Sequence, residues 1–398
     1  MKILLLHNFY GSEAPSGENV VFQAEKTLLE QRGHTVRLFT RHSDEIRGKG
    51  PAGILAGALA TPWNPLSARA LAKVVDEFRP DVVHAHNTFP LLSPAVFHAV
   101  GKQAATVLTL HNYRLLCPAG IPMRDGQVCT DCITRQSVHP ALRHGCYRGS
   151  RIATVPLAMN VGLHRRLGTW QKKVDAFVAL SDFQRRLMVE GGLPAERMHL
   201  KPNFYAGQPA VVPLDFRSGQ VVFVGRLGRE KGVHTLIEAW KQWGHGAPEL
   251  KIVGDGPLRG KLQQRAQGLP IEFAGQLSAD EAQQVIANAR LVVLPSECFE
   301  GFPMVVREAF AFGTPVAVSR LGPLPDIVCH GESGVVFDPA NPTSLLRAVR
   351  DAWQAPGLLS RLAAGARGEF EAKYNEQANY EILMDIYQQA VDRNRKGI

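Results

Sequence analysis

"QVVFVGRLGREKGVHTLIEAWKQW", residues 220–243, decides the fold. It opens on a short apolar run of strand character, "QVVFVGRL". A loop holding Gly225, Gly228 and Gly232 follows, and "GVHTLIEAWKQW" then reads as a helix. The unit starts just after "MHLKPNFYAGQPAVVPLD" (198–215), a stretch rich in Pro and Gly. It is a restart, because the same alternation already fills the chain before that stretch.

Toward the N-terminus, "KILLLHN", "TVRLFT", "DVVHAHN", "ATVLTLHN" and "AFVALS" read as strands, each ending in small or polar residues. "NVVFQAEKTLLEQRG" between the first two reads as a helix closed by Gly33. Toward the C-terminus, "LKIVGDG", "IEFAGQL", "ARLVVLPS" and "TPVAVSRLG" continue the second series, and "NYEILMDIYQQAVDRNRK" is a long amphipathic helix. This βαβ pattern predicts an α/β protein of two doubly wound, Rossmann-like domains with a boundary near 203–213. The expected domains are 1–205, with a cysteine-rich insertion at 117–146, and 206–370. A helical segment, 371–398, is expected to pack back on the N-terminal domain. Ligands are expected at the carboxyl ends of the strands, in a cleft where the two sheets face each other.

Composition fits a globular chain: 398 residues, 45% hydrophobic and 20% charged. The net charge of +9 is unevenly placed. Residues 1–205 carry 25 Lys and Arg against 15 Asp and Glu, and residues 206–398 carry 20 against 21. The basic half suits an anionic partner, whether a phosphorylated or lipid-linked substrate, a membrane surface or nucleic acid, or else it is solvated surface charge. No aromatic-basic or helix-turn-helix pattern supports nucleic acid. No run of about 20 apolar residues predicts a membrane-spanning helix. "MKILLLHNFYG" reads as a buried first strand rather than a signal peptide, which points to the cytoplasm.

In "GRLGREKG" (225–232), Arg226 and Lys231 follow a strand's carboxyl end. Two cations there can clamp a diphosphate and stabilise charge on it as it leaves. The spacing is not that of a Walker loop. "PSECFEGFPMVVREAFAFG" (295–313) places Glu300 before Gly301, Phe302 and Pro303, and Glu308 after them. Pro303 suits the first position of a helix running to Gly313. The free N–H groups of Met304 and Val305 would then face an anion. Glu308 lies about 7–8 Å further along the axis, so the two carboxylates serve two places on one elongated ligand. Carboxylates accept well from the vicinal hydroxyls of a sugar or ribose.

Glu300-GFPMVVR-Glu308 is an E-x7-E motif. With "VVFVGRLGREKG", "LKIVGDGPLRGKL", "IEFAGQLS" and "EGFPMVVREAFAFGTPVAVSRLGPLPDIV" in order, the chain resembles the retaining GT-B glycosyltransferases of family 4 over nearly its whole length. The resemblance implies a nucleotide-diphosphate sugar donor and a glycan or lipid-linked acceptor, in cell-surface polysaccharide or glycoconjugate synthesis. It implies that Glu308 binds the ribose hydroxyls, Glu300 the transferred sugar, and Arg226 and Lys231 the diphosphate. Gly301, Phe302, Pro303, Met304 and Val305 would shape the loop around sugar and phosphates. Gly275, Gln276 and Leu277 would edge the base. His111, in "TLHN", would hydrogen-bond the donor sugar, and Gly17, in "PSGENVV", would lie beside the diphosphate, although Ser16 stands where the family carries another glycine. Asp255 reads as either a turn residue or a ligand. The nucleotide-sugar 2-epimerases share this architecture and are the alternative. The sequence has no Asp-x-Asp, so no catalytic metal is expected.

Cys117, Cys129, Cys132 and Cys146 form C-x11-C-x2-C-x13-C in a Gly- and Pro-rich stretch. Such a set can close a tetrahedral thiolate site, so structural zinc is expected, with an iron–sulfur cluster or plain thiols as alternatives. Residues 52–63 and 150–173 mix apolar with basic side chains. Both suit peripheral contact with an anionic membrane, and the second equally suits a core helix with a basic outer face.

Overall fold

A computed structural model describes residues 1–11 and 16–397, the side chain of Arg47 apart. Part of the loop between the first strand and helix, residues 12–15, lies outside the described residues. The chain divides into two compact units. The first holds residues 1–122, 130–202 and 379–398, and the second holds 123–129 and 203–378.

The first unit is built on β1 (Lys2–Phe9), β2 (Thr35–His42), β3 (Val82–Asn87) and β4 (Ala105–Leu110). A two-stranded hairpin, β5 (Met123–Arg124) and β6 (Gln127–Val128), groups with the second unit. β7 (Ala176–Ala179) and β8 (Met198–Leu200) complete the first sheet, whose order is β2-β1-β3-β4-β7-β8, all parallel. The apolar runs of β3, β4 and β7 are buried throughout, as parallel strands covered on both faces must be. Leu383, Ile386, Tyr387 and Ala390 of the last helix, Glu376–Lys396, join Ile3, Leu5, Phe22 and Val107 in this unit's core.

The second unit repeats the plan with β9 (Gln220–Val224), β10 (Glu249–Val253), β11 (Ile271–Gly275), β12 (Leu291–Leu294), β13 (Val316–Ser319) and β14 (Gly334–Phe337). The order is β11-β10-β9-β12-β13-β14, again parallel. β8 and β14 are strands the sequence reading passed over. Each is short and lies at a sheet edge, where an apolar run need not be long.

Both sheets change winding direction beside their first strand. The chain runs outward from β1 to β2, then returns to place β3 on the other flank of β1; β9, β10 and β12 do the same. Adjacent connections diverge there and leave a crevice at the strands' carboxyl ends. The two crevices lie between β1 and β3 and between β9 and β12.

Candidate active site

In the second unit the loop after β9 and the loop after β12 meet at the switch point. Gly232 ends the first loop with φ +66, and a Cβ there would lie 1.9 Å from the Pro295 carbonyl oxygen. Only glycine lets the two backbones approach this closely. The approach brings Lys231 to Glu300, with Nζ donating to Oε1 at 2.7 Å, while Ser296 Oγ donates to the same oxygen at 2.6 Å. Burial works against the Lys231 charge, but Glu300 outweighs it and raises the ammonium above its ordinary range. Arg226 is different. It is exposed, with Nε 3.9 Å from Glu230, so it is free to reach toward a ligand.

A second close approach lies next to it. Gly254 has φ +129, and a Cβ there would meet the Gly225 carbonyl oxygen at 2.0 Å. The Gly254 N–H donates to the Gly275 carbonyl at 2.7 Å, which ties the end of β11, and with it Gln276 and Leu277, to this edge. Asp255 acts as a turn residue: it accepts from the Gly256 N–H at 2.6 Å and from Arg259 at 3.0 Å.

The helix carrying Glu308 is Met304–Ala311, preceded by Pro303 in extended conformation at the N-cap. The sequence placed Pro303 one position further in. A proline supplies no side-chain cap, so the first-turn N–H groups remain available. Phe302 is buried with its ring 5.2 Å from Tyr374, which fixes the Gly301–Pro303 approach. Glu308 is half-buried, 3.6 Å from Arg307. Burial raises its pKa despite that guanidinium, so a ligand supplying hydroxyl donors would stabilise its ionised form.

Residues absent from the sequence reading support this edge. Glu297 accepts from Thr235 Oγ1 at 2.7 Å and lies 3.2 Å from His234 Nε2. These contacts outweigh burial and hold its pKa low.

In the first unit, His111 follows β4 and His86 is the penultimate residue of β3. Their rings stack 5.2 Å apart, with His86 Nδ1 3.0 Å from His111 Nε2. Behind them lies a network the sequence reading did not find. Glu25, wholly buried, has Oε1 3.1 Å from His86 Nε2 and 3.1 Å from His84 Nδ1. Its Oε2 accepts from Lys201 Nζ at 2.8 Å. The available signal was Glu25 itself, a carboxylate on the buried face of the helix Gly17–Gln31, among Val21, Phe22, Leu28 and Leu29. Gly17 opens that helix and is exposed. Its neighbour Glu18 accepts from Asn112 Nδ2 at 2.8 Å, which brings the helix start to the His111 loop.

Of the quartet, Cys117 and Cys132 are buried and Cys129 and Cys146 half-buried. Burial pushes the Cys117 thiol up to about 11, so it is protonated at neutral pH. Among the described residues, one group of three or more metal-ligating side chains has its atoms within 4.8 Å of one another: Glu25, His84 and His86.

Residues 16–205 match the family model described as Glycosyltransferase Family 4, and residues 210–369 match Glycosyl transferases group 1. Sulfoquinovosyl transferase SQD2 of Arabidopsis thaliana is 26% identical over 392 residues, 94% of this chain and 71% of its own length. The putative teichuronic acid biosynthesis glycosyltransferase TuaC of Bacillus subtilis is 26% identical, across 98% of this chain and 100% of its own. The structure of Anabaena HepE in complex with UDP matches at a TM-score of 0.67 and 21% identity, covering 98% of this chain and 100% of that one.

Proposed function

The chain belongs to the family 4 glycosyltransferases of the GT-B fold, and from that premise we propose that it transfers a hexose, with retention of configuration, from a nucleotide-diphosphate sugar to a glycan or lipid-linked acceptor in cell-surface polysaccharide or glycoconjugate synthesis. The observation that carries this reading is the meeting of Lys231 and Glu300 at the β9/β12 switch point, with Glu308 further along the adjoining helix. Glu308 takes the ribose diol, and Glu300 takes hydroxyls of the sugar. Lys231, Arg226 and the N–H groups of Met304 and Val305 take the diphosphate. The family resemblance assigns Gly17 to the diphosphate and His111 to the sugar as further donor contacts. Gly275, Gln276 and Leu277 edge the base. HepE was solved with UDP and with UDP-glucose, which supports a uridine diphosphate sugar as the first donor to try.

In the step proposed, the bond from the anomeric carbon to the diphosphate oxygen breaks as the acceptor oxygen bonds to that carbon from the same face. The acceptor's proton passes to the departing phosphate oxygen. The cations stabilise the charge that develops there, so the step needs no metal.

A lipid-linked acceptor at the inner face of the plasma membrane is supported by the first unit's surface. On the helix Gly50–Ala60, Ile54, Leu55 and Leu59 are 70%, 62% and 70% exposed, and on Arg151–Leu167, Ile152 is 86% exposed. The helix ends are joined by His164 Nε2 donating to the Pro62 carbonyl at 2.9 Å, with Trp63 stacked on the His164 ring. Exposed apolar side chains beside Arg151 and Arg166 fit a peripheral contact with anionic lipid. No described helix is long and apolar enough to cross a membrane. For Cys117, Cys129, Cys132 and Cys146 we propose a structural zinc, bound once the thiols deprotonate and draw together.

The test is a donor screen by ligand-induced thermal stabilisation, followed by transfer to lipid-linked and glycan acceptors with the product's anomeric configuration read by NMR. Retained configuration is expected. Inversion would overturn the mechanism, and epimerisation at C2 without transfer would make the protein an epimerase.

A further inference from the structure

The network behind His111 has a directional logic. Lys201 has only donors to offer, and its ammonium lies on Glu25 Oε2 at 2.8 Å, with Asn379 Oδ1 at 3.3 Å. Next to that cation Glu25 is ionised, its pKa held well below the ordinary range despite burial. An ionised carboxylate only accepts, so the ring nitrogen 3.1 Å from Oε1, His86 Nε2, carries a proton. Because Lys201 already balances Glu25, one proton on the His86 ring, at Nε2, completes this contact and leaves Nδ1 with its lone pair toward His111. The group 3.0 Å away, His111 Nε2, must therefore donate to it. His111 is neutral, because burial and the neighbouring His86 and His7 hold its pKa well below 6.5. A neutral ring with its proton on Nε2 keeps a lone pair on Nδ1.

We propose that Glu25 and His86 are positioning residues that lock His111 in the Nε2–H tautomer, so that its Nδ1 serves as an acceptor for one hydroxyl of the substrate. This rests on the reading of His111 as a substrate-binding group. It adds a specificity rule: the group that meets His111 must bring a hydrogen, so a hydroxyl fits and a carbonyl or phosphate oxygen is repelled. Glu25, His84 and His86 also have the spacing of a cation site. Lys201 already balances the carboxylate, and both nitrogens of His84 have partners, Tyr387 Oη at 2.8 Å and Thr109 Oγ1 at 2.8 Å. These contacts favour a proton-ordering chain over a metal site.

Long-range 1H–15N correlation spectra of the full chain labelled at histidine report which ring nitrogen carries hydrogen, with the His111 signals assigned by comparison with His111→Gln. The wild type should show His111 protonated on Nε2. In Glu25→Gln the amide oxygen stays toward Lys201, so its NH2 faces His86 Nε2. His86 must then carry its proton on Nδ1, and His111 must switch to Nδ1–H. That variant should lose at least about tenfold in kcat, as other wrong-tautomer variants do, while nucleotide affinity holds. A wild-type His111 protonated on Nδ1 overturns the proposal even if Glu25→Gln does not fold. So does a tautomer switch that leaves kcat unchanged. The expected wild-type tautomer together with undiminished transfer by His111→Gln would instead leave the lock in place and remove His111 from the proposed site.

Discussion

Replacing Lys201 by Met removes one partner from an ion pair that has almost no contact with water. The Lys201 side chain is 1% exposed and that of Glu25 is 0%. Breaking a buried pair this way costs about 3–5 kcal/mol, because the remaining charge has no counterion. The His86 N–H still solvates Glu25, so the low end, about 3 kcal/mol, is expected at neutral pH. The variant has one escape, protonation of Glu25. In the wild type Glu25 has a depressed pKa, so its contribution is present above the unfolded value near 4.5 and is lost as pH falls through the folded one. Without Lys201, burial raises the pKa above 4.5, and the variant recovers stability as pH falls from 7 toward 5. The gap between the two proteins should narrow over that window. Native-state hydrogen exchange of the β1, β3 and β4 amides reads this in the first unit alone, which avoids treating a two-unit chain as two-state. Adding Glu25→Gln to the Met variant should restore most of the loss. A cost below about 1 kcal/mol at pH 7, the range of an exposed pair, or a gap that is constant down to pH 5, would refute the reasoning.

Glu308→Gln should weaken binding of the nucleoside diphosphate by about 1–2 kcal/mol in calorimetry, while Glu300→Gln should reduce transfer more than binding; equal affinity in wild type and Glu308→Gln would remove the ribose assignment. Arg226→Ala and Lys231→Ala should each lower kcat by about 2–4 kcal/mol of transition-state stabilisation, and chelators should leave initial rates unchanged; chelator-sensitive activity restored by magnesium would transfer the diphosphate to a metal. Elemental analysis should find about one zinc per chain, lost in Cys132→Ser; neither zinc nor iron in protein purified under reducing conditions would return the quartet to plain thiols. Flotation with vesicles containing phosphatidylglycerol should carry the protein, and Leu55→Glu with Ile152→Glu should release it; equal binding to zwitterionic vesicles would remove the charge from the argument.

The alternation of strands and helices was legible because parallel strands covered on both faces must be nearly all apolar and connecting helices must be amphipathic. The meeting of the 225–232 and 295–303 loops was legible for a related reason: glycines, cations and carboxylates crowd both, and a doubly wound sheet brings such loops together. Glu25 and Lys201 were not, because 176 positions separate them and neither belongs to a local motif. Ile54 and Ile152 were left open because periodicity shows an apolar face without showing whether anything covers it. Pro303 was displaced by one position because a proline is at home both just before a helix and in its first turn.

The last helix gives the chain an unusual order of assembly. Leu383, Ile386, Tyr387 and Ala390 fill the core of the first sheet, and Asn379 reaches Lys201 and the Pro202 carbonyl, yet all of residues 203–378 are synthesised in between. On the ribosome the second unit has its full sequence first. The first unit, begun at residue 1, waits with an open apolar face until residues 379–397 emerge. A premature stop near residue 375 would therefore leave the later-made half intact and cripple the earlier one, with the exposed strands of the first sheet as the surface on which such chains aggregate.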